Sequence, residues 1–272
     1  MCILIMGVST SSYSSYSTIP TWTKSRETHK KVLDAIDEFG RTRKYLMNIG
    51  EYKSKTVVDL IKDRKPQVMV ELGGYVGYSA IAFAAALREC GGSVYYSLEK
   101  SPEFGKVIVN LTDLAGLGNV IKVVVGSSSD SLRRLHADGA LTQIDLLFLD
   151  HYKPLYTQYL KICEELGLIK VGTVLAADNV IKPGNPPYLE YVRSSVEKKN
   201  RDLAAISEPE LKGNPNLIYE SRLVEGWEPS GVPNKVRNEM NPDHWWTLDV
   251  AKNCSEANGG LAQTAPVARE PY

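Results

Sequence analysis

One stretch decides how this chain folds: Val68-Met-Val-Glu-Leu-Gly-Gly-Tyr-Val-Gly-Tyr-Ser79. Its first five residues, Val68 to Leu72, are apolar except for Glu71, which predicts a strand buried on both faces. Glycines at positions 73, 74 and 77 form a turn, and Ala80 to Leu87 continues as an alanine-rich helix. A strand, a glycine-rich turn and a helix are typical of the first half of a nucleotide-binding βαβ unit.

The spacing of these glycines bears on the ligand. The dinucleotide fingerprint G-x-G-x-x-G would need glycine where Tyr75 and Tyr78 stand, and the stretch lacks the Gly-Lys-Ser/Thr ending of a phosphate-binding loop. What remains is acid-x-Gly-x-x-x-Gly, from Glu71 to Gly77, which places a carboxylate beside the loop. This pattern suits a ligand with an ammonium group and no phosphate, such as S-adenosylmethionine (SAM). A turn that merely joins a strand to a helix is the alternative.

Composition limits the class of protein. The chain has 272 residues, of which 43% are hydrophobic, enough to bury one sizeable α/β core. Lys+Arg and Asp+Glu balance at 32 each without a long basic stripe, which argues against a nucleic-acid partner. The cysteines have no metal or disulfide spacing, and the apolar N-terminal run is too short to span a membrane. We therefore expect a cytoplasmic, monomeric protein that is not bound to a membrane and acts on a small molecule.

The chain divides into three predicted parts. Residues 1–24 are expected to be a flexible arm, residues 25–228 the folded domain, and residues 229–272 a loosely ordered tail. Within the domain, strands alternate with helices, which predicts a Rossmann-like α/β fold whose mostly parallel sheet has helices on both faces. At its end, one helix is predicted from Tyr188 to Lys199, and a closing antiparallel hairpin within residues 216–224.

Acidic residues follow several of the predicted strands. Since the carboxyl ends of parallel strands share one edge of a sheet, these acids should meet where ligands bind. Glu99 ends the second strand, in the position from which α/β nucleotide sites bond a ribose diol. Asp150 follows the fourth strand, and Asp178 and Asn179 follow the fifth. Their oxygen donors suit Mg²⁺, whereas helix capping is the alternative for each acid alone.

Lys153 lies three residues after Asp150 and is the candidate base. A nearby dication should lower the pKa of the lysine, so that its amine could accept a proton. A phenol with two adjacent hydroxyls could chelate the ion, lose one proton to Lys153 and attack the sulfonium methyl of SAM. An exposed lysine at the start of a helix is the alternative.

Several blocks of the chain, taken together, resemble catechol O-methyltransferase. They are Val32–Asp37, Tyr45–Gly50, Glu71–Ser79, Val125-Gly126, Phe148–Lys153, Gly172–Ile181 and Pro183-Gly184. The resemblance runs from about residue 30 to 226 and implies a SAM-dependent methyltransferase fold with seven strands, the last antiparallel. It also implies Mg²⁺-dependent transfer of a methyl group from SAM to one hydroxyl of a catechol-type substrate. A related O-methyltransferase that acts on a larger phenolic secondary metabolite, and a SAM-binding protein without catalysis, are the alternatives.

The same resemblance implies roles for individual residues. SAM would be lined by Met47, Ile49, Glu71, Gly73, Tyr75, Ser79, Glu99, Ser128 and Asp150. Mg²⁺ would be held by Asp150, Asp178 and Asn179, and Lys153 would be the base. The substrate would contact Lys153, Asn179, Glu220, Tyr45 and Pro183.

Four positions and one insertion depart from the mammalian pattern. Tyr45 and Tyr152 stand where those relatives carry tryptophan, Ser129 where they carry glutamine, and Lys100 where they carry an apolar residue. An extra segment, about Val196 to Gly213, precedes the Glu220 strand and could reshape the substrate entrance. None of these changes removes a group to which the chemistry is assigned, so they leave the substrate open.

Overall fold

A computed structural model describes residues 28–207, 211–227 and 245–256. The described strands are β1 (Val68–Leu72), β2 (Val94–Glu99), β3 (Ile121–Val125), β4 (Ile144–Leu149), β5 (Ile169–Ala177), β6 (Leu217–Trp227) and β7 (Trp245–Glu256). The described helices are α1 (Thr28–Thr42), α2 (Gly50–Arg64), α3 (Tyr78–Glu89), α4 (Pro102–Leu114), α5 (Ser128–Ala137), α6 (Tyr156–Glu165), α7 (Pro186–Arg193) and α8 (Val196–Ala204). A 3₁₀ turn, Lys153–Leu155, precedes α6, and a π-helical turn, Val180–Gly184, precedes α7. The predicted arm, residues 1–24, lies outside the described residues.

The strands form one seven-stranded sheet in the order β3-β2-β1-β4-β5-β7-β6. Each pairing from β3 to β5 is parallel, whereas β7 runs antiparallel to both of its neighbours. The predicted Rossmann-like, mostly parallel sheet is therefore confirmed. Its strand order reverses between β1 and β4, and in such sheets ligands bind at the carboxyl ends of the strands beside this reversal.

Helices cover both faces of the sheet, which explains why the central strands are almost continuously apolar. Met69 of β1 packs with α1, α2 and α3 on one face, and the next residue, Val70, packs with α5, α6 and α7 on the other. The same alternation puts Leu146 in the first core and Leu147 in the second. Both cores are closed by helices, so ligands must enter at the strand ends. No helix among the described residues has the length and apolar character needed to cross a membrane.

The predicted hairpin within residues 216–224 is wrong. β6 runs through Ser221 as one strand and pairs with β7 from Leu217↔Glu256 to Trp227↔Trp245. β7 comes from the segment that was expected to be a loose tail, so the domain boundary at residue 228 is also wrong for residues 245–256. Its second half, Lys252–Glu256, is largely polar, and nothing in that pattern indicated a strand between β5 and β6. Residues 257–272 of the predicted tail lie outside the described part of the chain.

The helix predicted from Tyr188 to Lys199 is two helices, α7 and α8. Ser194 breaks it, because its backbone is extended (φ −76°, ψ 142°). Ser195 then caps α8, since its side chain accepts a hydrogen bond from the backbone N–H of Lys198. The inserted segment is thus partly helical.

Candidate active site

The glycine loop after β1 touches the segment that follows β4. Gly73 has a φ of +95°, and a Cβ atom there would lie 2.5 Å from the carbonyl oxygen of Asp150. Its backbone N–H donates to the carbonyl of Leu98 at 2.9 Å, which ties the loop to β2 as well. Only glycine combines this left-handed backbone with so close an approach. The loop is thereby fixed between the ends of two strands.

Glu99, the last residue of β2, holds the loop from beside it. One carboxylate oxygen accepts the N–H groups of Gly74 at 3.2 Å and Tyr75 at 2.9 Å, and the other accepts that of Ser101 at 2.7 Å. Tyr75 has a positive φ of 46°, and its ring packs edge-on against Phe104 with centroids 4.8 Å apart. The predicted ribose-binding acid is therefore a rigid part of the same loop.

Glu71 is completely buried beneath the loop. The hydroxyl of Ser97 donates to its Oε2 at 2.7 Å, and its Oε1 has no hydrogen-bond partner among the described residues. Burial raises the pKa of this carboxyl to about 7, against the opposing effect of the hydroxyls of Ser79, Ser97 and Tyr95. An unpartnered buried carboxylate oxygen is where a cationic ligand group would be accepted.

Asp150 and Asp178 continue two adjacent strands past their ends. The N–H of Asp150 donates to Leu72 at 3.1 Å, and the N–H of Asp178 donates to Leu149 at 3.0 Å. Burial and the carboxylate of Asp178 raise the pKa of Asp150 well above its usual value, while the ammonium groups of Lys53 and Lys153 oppose that change. Asn179 follows with a left-handed backbone, φ +61°. The structure thus brings these three predicted ligands together; we call them the strand-end cluster.

Lys53, which was not singled out in the sequence, belongs beside this cluster. Its Nζ lies 2.6 Å from Oδ2 of Asp178, and the two side chains are 3% and 2% exposed. A signal for it existed: Lys53, Val57 and Ile61 share the buried face of α2 at helical spacing. A lysine on an apolar helix face is rarely buried unless it is paired.

The strand-end cluster fits a divalent metal ion. Oδ1 of Asp178 is a buried acceptor without a hydrogen-bond partner in the described chain, whereas the unpartnered atom of Asn179 is Nδ2, a donor that does not bind a metal ion. Two carboxylates and an amide oxygen are hard donors of the kind that Mg²⁺ prefers, with remaining positions filled by water or substrate. No group of three or more His, Cys, Asp or Glu side chains arranged for a metal occurs among the described residues, so Asn179 would have to be the third protein ligand.

Lys153 begins the 3₁₀ turn that follows Asp150 in the chain. Its carbonyl accepts a hydrogen bond from the side chain of Asn185 at 2.7 Å, which fixes the turn. The neighbouring His151 stacks on Tyr156 and Tyr159, with centroids 4.8 Å and 4.9 Å away. Burial lowers the pKa of His151 to about 3, so the ring is neutral packing rather than a proton carrier at neutral pH.

The remaining predicted site residues lie around this edge, with one exception. Ile49 is buried, and Tyr45 and Met47 are 42% and 73% exposed in the loop that leads into α2. Ser128 is buried in the first turn of α5, and Pro183 is exposed in the π-helical turn after Asn179.

Glu220 is the exception. It pairs with Lys252, which pairs in turn with Val174, four residues before Asp178. The strand end at Ala177 is instead level with Leu223. Glu220 is therefore not level with the strand-end cluster in the sheet. The pairing of β7 with both β5 and β6 sets the position of Glu220 along the strand direction.

Comparison with known proteins identifies the family to which this chain is similar. The family described as O-methyltransferase matches residues 23–206. Catechol O-methyltransferase of Bos taurus is 37% identical over 166 residues, which are 61% of this chain and 60% of that protein. Catechol O-methyltransferase B of Danio rerio is 37% identical over 171 residues, 63% of this chain and 64% of that protein. The chain thus spans less than two thirds of the length of these relatives.

Solved structures agree with the fold. An O-methyltransferase from Bacillus cereus in complex with SAH has a TM-score of 0.53 at 18% identity, covering 86% of this chain and 92% of the other. The O-methyltransferase TomG from Streptomyces achromogenes, in complex with SAM, has a TM-score of 0.54 at 20% identity, covering 84% and 90%. At these identities the likeness concerns the fold alone.

Proposed function

The chain belongs to the O-methyltransferase family, and from this premise we propose that it transfers a methyl group from SAM to one hydroxyl of a catechol-type substrate, with Mg²⁺ bound at the strand-end cluster. The observation that carries the proposal is the incomplete bonding of that cluster. Asp178 buries a carboxylate oxygen without a partner in the described chain, at the strand end next to Asp150, whose backbone lies against the glycine loop held by Glu99. Relatives of similar sequence are named catechol O-methyltransferases.

SAM would be bound along the carboxyl ends of β1 and β2. Glu71 would accept the ammonium group of its methionine part, because its Oε1 is buried and unpartnered in the described chain. Glu99 would accept the ribose hydroxyls while it keeps the loop N–H groups. The other lining residues would be Met47, Ile49, Gly73, Tyr75, Ser79, Ser128 and Asp150.

Asp150, Asp178 and Asn179 would hold the metal ion. When bound, Mg²⁺ supplies a positive charge that orients two neighbouring phenolic oxygens and lowers the pKa of their protons. The carboxylates of Asp150 and Asp178 would hold the ion at this place, since they follow the adjacent ends of β4 and β5. The cluster would thereby select substrates with two adjacent hydroxyls.

Lys153 would act as the general base. Its Nζ, in the neutral form, would accept the proton of the hydroxyl that is methylated, and the resulting oxygen attacks the methyl carbon of SAM in line. The O–C bond forms as the C–S bond breaks, leaving S-adenosylhomocysteine. Tyr45 and Pro183 would flank the ring and exclude water, and most of the rate gain would come from positioning. Glu220 remains a predicted substrate contact that the register of β6 does not support.

A larger phenolic substrate is the second candidate. It is favoured by the open rim of the site, where Met47 and Tyr152 are 73% and 71% exposed. Both candidates use the same methyl transfer and differ in the size of the acceptor.

A methyl-transfer assay over a panel of acceptors tests the proposal. Each catechol, small or large, is paired with its monophenol of the same shape, and each pair is assayed with Mg²⁺ and with a chelator. We expect turnover of the catechols in Mg²⁺, and loss of turnover for the monophenols or under chelation. Equal rates for catechol and monophenol, or rates unaffected by chelation, would contradict the metal-chelation proposal, whereas no transfer to any member would contradict the enzyme assignment.

A further inference from the structure

Lys53 lies on the buried face of α2, where the other large side chains are apolar. Val57, Leu60 and Ile61 share its buried face, and Lys53 itself is 3% exposed. Burying an ammonium group is costly unless it is paired, so this side chain requires a partner inside the protein. Lys55, two residues later, contrasts with it: that lysine is exposed and pairs with Asp59 on the helix surface.

One partner of Lys53 is a member of the strand-end cluster. Its Nζ lies 2.6 Å from Oδ2 of Asp178, and this contact fixes the carboxylate with Oδ1 left unpartnered in the described chain. One oxygen is thereby held by the protein, and the other is presented to whatever binds between Asp178 and Asp150.

The charges of the cluster explain why a lysine would be kept there. Asp150 and Asp178 place two carboxylates at adjacent strand ends, and without a cation their repulsion opposes folding. An ammonium group beside Asp178 offsets part of that negative charge. The same ammonium then repels an incoming dication, and a buried interaction is only weakly screened by salt.

We propose that Lys53 is a positioning residue and a built-in counter-ion of the strand-end cluster: it aligns Asp178, balances the cluster when no dication is bound, and weakens dication binding. This inference rests on the proposed magnesium-dependent function. Turnover then follows the free concentration of the dication instead of depending on a tightly retained ion.

The test compares Mn²⁺ binding and thermal unfolding of the full chain and three variants. Mn²⁺ is a suitable probe because it shares the oxygen preference of Mg²⁺, and its electron paramagnetic resonance signal reports the free ion. Lys53→Met should bind Mn²⁺ at least about tenfold more tightly, since a like charge is removed. Without metal it should melt roughly 5–15 °C lower, because a buried ion pair is broken. Lys53→Arg should stay close to the natural chain in both measurements, and Lys55→Met is the control for a lost surface charge.

The outcomes distinguish a failure of this inference from a failure of the proposed function. Tighter binding cannot result from damage to the site, so it supports the counter-ion role. If the natural chain binds Mn²⁺ and Lys53→Met binds it equally or less tightly, the inference is wrong while the magnesium site stands. If only Lys53→Met binds Mn²⁺, the inference holds and metal-dependent function in the natural chain is wrong. If neither binds the ion, both are wrong.

Discussion

Among the described residues, Glu164 and Asp178 are buried carboxylates with a buried lysine nearby, and they differ in how many of their oxygens accept hydrogen bonds. Glu164 accepts hydrogen bonds on both oxygens: from Tyr219 at 2.6 Å on one, and from Tyr191 at 2.5 Å and the N–H of Asn214 at 2.8 Å on the other. Asp178 is bonded by Lys53 on one oxygen, and its other oxygen has no partner in the described chain.

The lysines differ in the same way. Lys199 packs 4.8 Å from the ring centroids of Tyr191 and Tyr219 and donates to the carbonyl of Leu217, so it ties α8 to β6. Lys53 instead bonds directly to the carboxylate of a cluster that keeps unpartnered polar atoms. A buried network whose polar atoms all have hydrogen-bond partners stabilises a fold. A buried polar atom without a partner can instead bind a ligand. We therefore assign structure to the Glu164 region and chemistry to the Asp178 region.

The largest effect should follow from removing Lys153, the proposed base beside the strand-end cluster. Lys153→Ala should lower kcat by about 10²–10⁴, the usual contribution of a positioned acid–base group, with little change in SAM affinity. Lys153→Arg should fail to restore the rate, because a guanidinium group stays protonated. Steady-state kinetics and SAM calorimetry check both. A near-normal kcat for the arginine variant would show that Lys153 is only an electrostatic anchor.

At the fully hydrogen-bonded Glu164 region, a substitution should lower the stability of the fold. Glu164→Ala leaves the Tyr191 and Tyr219 hydroxyls and the N–H of Asn214 without their acceptor, which should cost about 3–5 kcal/mol of unfolding free energy. Chemical denaturation measures this loss. The kcat of the folded fraction should be unchanged, and a fall in kcat without loss of stability would reverse the assignment of the two regions.

Removing Glu99, the carboxylate that holds the glycine loop, should have an intermediate effect. Glu99→Ala should weaken SAM binding by about 1.5–3 kcal/mol, the range for hydrogen bonds to a charged group. Calorimetry with SAM measures it, and Glu103→Ala, at a nearby exposed acid, is the matched control. An unaltered dissociation constant for Glu99→Ala would leave Glu99 as a brace of the loop alone.

The smallest predicted effect concerns pH. Burial raises the pKa of Glu71 to about 7, so its carboxylate becomes ionised as the pH rises through neutrality. An ammonium group binds the ionised form, and SAM affinity should therefore fall by roughly tenfold between pH 8 and pH 6. Glu71→Gln should bind SAM more weakly and without this pH dependence. A pH dependence that persists in the glutamine variant would assign it to another group.

The two regions also differ in how much the sequence revealed about them. The meeting of the acids at the strand ends was predictable, because apolar runs mark the strands and the acids that follow them must share an edge in a parallel sheet. Lys53 was missed, although its place on the apolar face of α2 indicated burial. Its partner lies 125 residues away in the chain, and that separation gives no local pattern.

The C-terminal part of the fold, from α8 to β7, was less predictable for a physical reason. β7 is specified by its neighbours β5 and β6 rather than by alternation of its own residues, and it enters from what looked like a tail. The same pairing sets the height of Glu220, which the sequence alone placed at the substrate. One continuous helix was predicted to reach Lys199, yet α8 is a separate helix that is capped by Ser195 and bonded to β6 through Lys199.

The most direct test of the account measures methyl transfer and thermal unfolding for two isosteric changes, Asp178→Asn and Glu164→Gln. We predict that Asp178→Asn lowers the Mg²⁺-dependent rate by about 10² or more, because it removes a carboxylate of the proposed metal site, and that it remains folded at the assay temperature. Glu164→Gln should lower the melting temperature while it keeps the rate of the folded protein. An Asp178→Asn variant with the natural rate and the natural Mg²⁺ dependence would contradict the assignment of chemistry to the strand-end cluster.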